Sequence, residues 1–303
     1  MTQIVTRDDR EKQFIALASV VAAAGLAGTK LCVGLVTDSL GILSEAAHSG
    51  LDLVAAATAW CAIRVSSRPA DLEHPYGHGK VENLSALFQV LLLLGTCVWI
   101  AAEAIERLVQ NRTGVEPSVW AFGVMAGSIV VDVVLARKLY RVARKHNSQS
   151  LEAGALHFSS DIWSSGVVLI GLALAWIGDR AGLFWLLHAD AVAALSVSVI
   201  AVWLSCRLGR KTVADLLDEV PPGINDKILK AMYLPGVRRV SRVRVRRSGP
   251  KIFIDAVLCM EAGASLSQSH ALADAIEQEV RQILPGADVI LHIEPNGGPR
   301  TQG

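Results

Sequence analysis

Six stretches of this chain, at about 14–37, 40–63, 84–108, 117–136, 156–177 and 189–208, are long, apolar and nearly free of charge. A helix rises 1.5 Å per residue, so about 20 such residues cross the roughly 30 Å hydrocarbon core of a bilayer. That limits the fold to a helical membrane bundle, because helices satisfy their own backbone hydrogen bonds where water is absent. Composition agrees: 52% of residues are hydrophobic and only 19% charged, whereas a soluble domain carries about a quarter charged. The formal charge of +1 argues against a chain built to bind nucleic acid.

Orientation follows from the basic residues, which collect in short cytoplasmic loops. With both termini inside, the inner segments hold fourteen: Arg7, Arg10, Lys12, Arg64, Arg68, Lys80, Arg137, Lys138, Arg141, Arg144, Lys145, Arg207, Arg210 and Lys211. The outer side holds three, Arg107, Arg112 and Arg180. The expectation is a multi-pass protein of the cytoplasmic (inner) membrane. The polar start Met1–Lys12 lacks a cleavage pattern after the first apolar run, so that run reads as a spanning helix. Five scattered cysteines form no C-x-x-C pair and suggest neither a disulfide framework nor a thiolate cluster.

After Lys211 the pattern changes. Pro221-Pro222-Gly223 breaks the helix, and the remaining residues alternate like a small soluble domain. Helices are expected at Asn225–Leu234 and Ser267–Leu284, and strands at Arg242–Arg246, Ile252–Met260 and Asp288–His292, with a turn at Ser248-Gly249-Pro250. The expected fold is therefore an all-α six-helix transmembrane domain over 1–211, followed by an α+β domain over 212–303 in the order α-β-β-α-β, of ferredoxin-like type.

The second span reads S-E-A-A-H-S-G-L-D, placing Glu45, His48 and Asp52 three and four residues apart on one helix face. The fifth reads A-L-H-F-S-S-D and repeats the spacing with His157 and Asp161. Each aspartate in a bilayer core costs about 2.5–3.5 kcal/mol on insertion scales, so these groups need a partner. A lone intramembrane histidine usually hydrogen-bonds a neighbouring helix. Two copies of H-x-x-x-D point instead to a divalent cation, and two imidazoles with two carboxylates suit Zn²⁺ ahead of Co²⁺, Fe²⁺, Cd²⁺ or Mn²⁺. Glu45 reads as either an accessory proton carrier or an interfacial residue. Lys30 and Asp132, also within spans, are expected to snorkel or to line the polar side of the bundle.

These motifs resemble the cation diffusion facilitator family of divalent-metal/proton antiporters, with a metallochaperone-like cytoplasmic domain. The resemblance rests on T-D-S-L-G-I-L-S-E-A-A-H-S-G-L-D, P-A-D-L-E-H-P-Y-G-H-G-K-V-E, L-H-F-S-S-D-I-W-S-S, S-G-P-K-I-F-I-D and V-I-L-H-I-E-P, and covers nearly the whole chain. It implies a transport site of His48, Asp52, His157 and Asp161, with His at both first positions favouring zinc. It also implies a loop site of Asp71, His74 and His78, a charge interlock of Lys80 with Asp218 joining the two domains, and a homodimer. In the soluble domain only His270, His292 and Glu294 match the family's ligand positions, because Ser241 and Val257 replace two histidines. The expectation there is one weak site of those three.

The implied function is export of Zn²⁺ from the cytoplasm in exchange for protons, with Zn²⁺ as substrate and regulatory ligand and no organic cofactor. The same antiporter with broader specificity (Fe²⁺, Co²⁺, Cd²⁺, Mn²⁺) and a metal-responsive membrane receptor are the alternatives. An enzyme is not expected: His74 and His78 lack the H-E-x-x-H frame of a zinc protease, and Pro75 with Gly77 breaks the helix it needs. The basic run Arg238, Arg239, Arg242, Arg244, Arg246, Arg247 and Lys251 reads as a solvated strand face, since no nucleic-acid reader motif accompanies it.

Overall fold

The computed structural model describes residues 7–37, 40–110, 119–181, 189–220 and 223–296. The chain folds into two compact units, Met1–Val213 and Ala214–Gly303.

Among the described residues, the first unit contains α1 (Arg7–Thr37), α2 (Leu40–Ser66), α3 (Lys80–Gln110), α4 (Val119–His146), α5 (Gln149–Ala181) and α6 (Ala189–Leu216). Asp8–Thr37, Glu45–Ser66 and Lys80–Ala102 are each long and apolar enough to cross a membrane. The unit is turned inside out relative to a soluble protein. Phe14, Leu35, Trp99, Trp163 and Trp203 are more than half exposed on its outside, while Ser19, Lys30, Asp52, Gln89, Asp132 and His157 are buried. Apolar side chains gain nothing by hiding from lipid, so the bundle keeps its polar groups inside. Hydroxyls obey the same rule: Thr29, Thr58, Ser128 and Ser159 each donate to the carbonyl four residues back.

Small residues set the helix spacing. Ala16, Ile63, Leu139, Leu151 and Phe158 join α1, α2, α4 and α5 in one cluster. Ala86, Val90, Ala153 and Leu208 join α3, α5 and α6 in another. Gly34 allows α1 to approach α2: a Cβ there would lie 2.8 Å from Leu43 Cδ2 and 3.1 Å from its backbone N.

The second unit is α+β. It comprises α7 (Ile224–Met232), β1 (Val237–Ser248), β2 (Lys251–Met260), α8 (Leu266–Ile283) and β3 (Asp288–Pro295). The sheet order is β1-β2-β3. β1 and β2 form an antiparallel hairpin with Ser248 opposite Lys251, and β2 and β3 are parallel. Gly249 at φ 59 supplies the left-handed first position that the two-residue turn requires. β1 is longer than the alternation in Arg242–Arg246 suggests, because its pairing continues through register shifts between Val237 and Arg242. α8 begins with a capping box in which Ser265 and Gln268 satisfy each other's backbone N–H. Ile228, Met232, Val245, Ile254, Ile276, Val280 and Val289 form the core between the two helices and one face of the sheet.

Candidate metal centre

Within the bundle, helical periodicity brings His48 and Asp52 to the face of α2 that meets His157 and Asp161 on α5. The shortest contacts are crosswise. His157 Nε2 lies 2.7 Å from Asp52 Oδ1, and His48 Nε2 lies 3.5 Å from Asp161 Oδ1. Along each helix, His48 Nε2 is 4.0 Å from Asp52 Oδ1 and His157 Nε2 is 3.9 Å from Asp161 Oδ2. Tetrahedral zinc with bonds near 2.0–2.1 Å separates neighbouring ligand atoms by about 3.3 Å. The observed contacts bracket that edge, so small side-chain shifts would close the four groups on one ion. Ligand atoms of His48, Asp52 and Asp161 all lie within 4.8 Å of one another. His157 joins through its contacts to both aspartates.

A cavity on one side of this cluster is lined by Asp52, His157, Ser19, Gln89, Ser150 and the small residues Ala55, Ala56, Ala59 and Gly154. Among the described residues, His157 Nδ1 and Gln89 Oε1 are buried without a hydrogen-bond partner. Gly154 leaves room for Gln89, whose Oε1 would be 3.4 Å from a Cβ at that position.

Lys30 and Asp132 do not snorkel; each is only 6% exposed. Glu45 is ion-paired with Lys30 at 3.2 Å, and Lys30 also donates to Ser49 Oγ at 2.9 Å. In a fully buried ion pair, Lys12 with Glu82 at 3.1 Å, the carboxylate also accepts hydrogen bonds from Ser66 and Ser148. Sequence reasoning missed this pair. Its signal was one charge near the N-terminal end of each of two spans, opposite in sign and 70 residues apart.

The loop before α3 gathers the second set. Asp71 Oδ1 is 3.3 Å from His74 Nδ1, and Asp71 Oδ2 is 3.4 Å from His78 Nε2. Asp71 accepts backbone N–H bonds from Glu73 and His74 at 3.1 and 2.6 Å. The His74 N–H is the main reason its carboxyl is held below the usual aspartate range. Gly77 at φ 78 turns the chain so that both imidazoles reach the same carboxylate. Their ring centroids are 4.5 Å apart.

The soluble-domain set divides. His292 and Glu294 lie two apart on β3 with 3.8 Å between Nε2 and Oε1. They share the face of exposed Ile290, while Val289 and Leu291 pack into the core. His270 lies on α8, which covers the core face, and it is 3.7 Å from Asp274. The sheet therefore separates His270 from His292 and Glu294, and one chain does not assemble the three. Val257 is paired with His292 across β2 and β3, and Ser241 Oγ lies 3.2 Å from Cys259 Sγ. That contact and Arg239 hold the Cys259 thiol below its ordinary value.

A further constellation unites Asp8 and Glu11 on α1 with His146 on α4. Lys145 already occupies Glu11 at 2.5 Å, and His146 Nε2 is 3.0 Å from the same carboxylate. It reads as an ion-pair network tying two helix ends.

Comparison with known proteins places these residues in a family context. Residues 16–217 match the cation efflux transmembrane domain, and residues 224–296 match the cation efflux protein cytoplasmic domain. The cation-efflux pump FieF of Salmonella newport strain SL254 is 34% identical over 282 residues, covering 92% of this chain and 91% of that protein. FieF of Salmonella schwarzengrund strain CVM19633 is 33% identical over 290 residues, covering 95% and 94%. Among solved structures, the Zn form of CzrB is similar at 26% identity and a TM-score of 0.25, covering 27% of this chain and 94% of that one.

Proposed function

The chain belongs to the cation diffusion facilitator family of cation-efflux proteins, and from that premise we propose that it exports Zn²⁺ from the cytoplasm in exchange for protons. Membership makes it a secondary transporter of divalent metal cations and not an enzyme. The zinc reading is carried by the crosswise convergence of two imidazoles and two carboxylates from α2 and α5. His48, Asp52, His157 and Asp161 are the proposed transport ligands, and Asp71, His74 and His78 a loop site on the cytoplasmic side.

Coupling follows from the ligand chemistry. Zinc takes neutral imidazole and ionised carboxylate, so protons and metal compete for the same atoms. Each histidine lies against the aspartate of the other helix, so a proton arriving on either imidazole would compete with the metal while keeping a carboxylate partner. The exchange is therefore one ion for at least one proton. In the proposed cycle, rocking of the bundle exposes the site alternately to the two sides, and the inward proton gradient drives metal outward.

The proposed arrangement has six spanning helices over 1–211, both termini cytoplasmic in the inner membrane, and a ferredoxin-like cytoplasmic domain over 212–303. The protein acts as a homodimer, with Lys80 and Asp218 as the interlock between domains. Asp218 has the left-handed φ of 60 just past the end of α6, a conformation aspartate tolerates. Zn²⁺ uptake into proteoliposomes under an imposed pH gradient tests the proposal. Asp52→Ala and Asp161→Ala should each lower flux at least about 100-fold, a loss of about 2.7 kcal/mol. Unchanged flux in either variant would sink it.

A further inference from the structure

Lys30 places a basic side chain in the bundle interior beside a proposed cation site, an arrangement that weakens binding unless its charge is answered. The answer lies on α2. Glu45, His48, Ser49 and Asp52 recur at helical spacing, and the Lys30 ammonium on α1 is anchored to the first and third of them, 3.2 Å from Glu45 Oε2 and 2.9 Å from Ser49 Oγ. Lys30 and Ser49 are nearly inaccessible, whereas the Glu45 side chain is 44% exposed. Asp132, buried on α4, is within electrostatic range of Lys30, Asp52 and Asp161.

We propose that Lys30 and Glu45 form an affinity-setting charge pair for the four-ligand site, a pair of positioning residues that touch no metal. This rests on the transport-site reading above. Asp52 and Asp161 balance a bound dication, and Lys30 and Glu45 balance each other. Between them, Lys30 and Glu45 then add no net charge to the site. Deleting Lys30 leaves an unanswered carboxylate one turn from His48, which strengthens binding and slows release. Deleting Glu45 removes the carboxylate ion-paired with Lys30, and the ammonium then repels the cation more strongly. Deleting both restores the balance.

The signs of these effects separate the proposal from a purely structural ion pair. Zn²⁺ flux is measured in proteoliposomes, and Zn²⁺ binding by calorimetry in detergent with Asp71→Ala present throughout to remove the loop set. Lys30→Met should lower both the flux KM and the calorimetric Kd about tenfold and lower kcat, while Glu45→Gln raises KM and Kd by about as much. The double variant should return to within about threefold of the parent, and Lys30→Arg should match it. Shifts of the same sign in the two single variants, or a double variant as impaired as its worse parent, would overturn the pair. Should Glu45→Gln not fold, Lys30→Met decides alone: an unchanged or raised Kd refutes the proposal. The calorimetric arm is independent of flux. A parent protein that binds Zn²⁺ but does not move it would defeat the carrier reading, while opposite shifts in Kd would still support the charge pair.

Discussion

The two units of this molecule obey opposite burial rules. In the N-terminal unit Lys12, Lys30, Glu82, Asp52 and His157 are buried, and Phe14, Trp163 and Trp203 face outward. In the C-terminal unit Ile228, Ile254, Ile276 and Val280 are fully or almost fully buried, and the charged side chains of Arg238 and Glu261 are largely exposed. The difference shows where specific interactions carry a fold. Lipid gives apolar side chains no reason to gather, so polar contacts and close packing hold the bundle. Water drives the apolar residues of the C-terminal unit together without help from its ion pairs.

The contrast can be broken most sharply at its ion pairs. Glu82 is 0% exposed and accepts from Lys12, Ser66 and Ser148, so Glu82→Ala leaves the buried Lys12 with only the longer 3.5 Å ion pair to Asp9. The expected cost is about 3–5 kcal/mol, read as lost thermal stability of the detergent-solubilised protein. Removing the exposed partner in Glu261→Ala should cost under about 1 kcal/mol. Similar losses in the two variants would mean that the burial contrast has no energetic content.

The apolar side of the comparison is next. Ile276→Ala empties the centre of the C-terminal core and should destabilise that unit by about 2–5 kcal/mol in urea unfolding. The larger end of that range would show a core that cannot collapse into the space.

The smallest effect concerns the loop between α2 and α3, which belongs to neither pattern. Asp71 is exposed, and its depressed carboxyl pKa is set mainly by the His74 backbone N–H. A depressed folded value means the turn gains stability above the unfolded aspartate pKa and loses it only as pH falls through the lower folded one. Carboxyl NMR should therefore find Asp71 titrating below an unstructured aspartate. Asp71→Asn should remove that pH dependence and reduce zinc binding to the loop. A carboxyl that titrates at the ordinary value would show that the turn does not form in solution.

Much of the α2–α5 site is legible in sequence for a physical reason. Residues four apart on a helix lie on one face, and carboxylates in apolar spans are too costly to leave alone, so two H-x-x-x-D copies imply convergence. The loop set was legible only by residue type and family resemblance, because Gly77 and the Asp71 turn decide whether the imidazoles meet. His270, His292 and Glu294 look equivalent in sequence but are not in space. Strand alternation puts His292 and Glu294 on the open face, and α8 carries His270 on the covered one. The Lys30–Glu45 pair needed α1 set against α2, which the close approach at Gly34 permits.

The sequence alone determined that this chain forms long apolar helices followed by a small α-β-β-α-β unit, because periodicity and hydropathy are local properties. It also determined which residue types could bind a cation. Only the tertiary structure decided which histidine lies against which aspartate, that Lys30 and Asp132 are buried in the bundle, and that the sheet divides the soluble-domain set. Those outcomes depend on helix approach and on which sheet face is covered, and both arise from contacts between residues far apart in the chain.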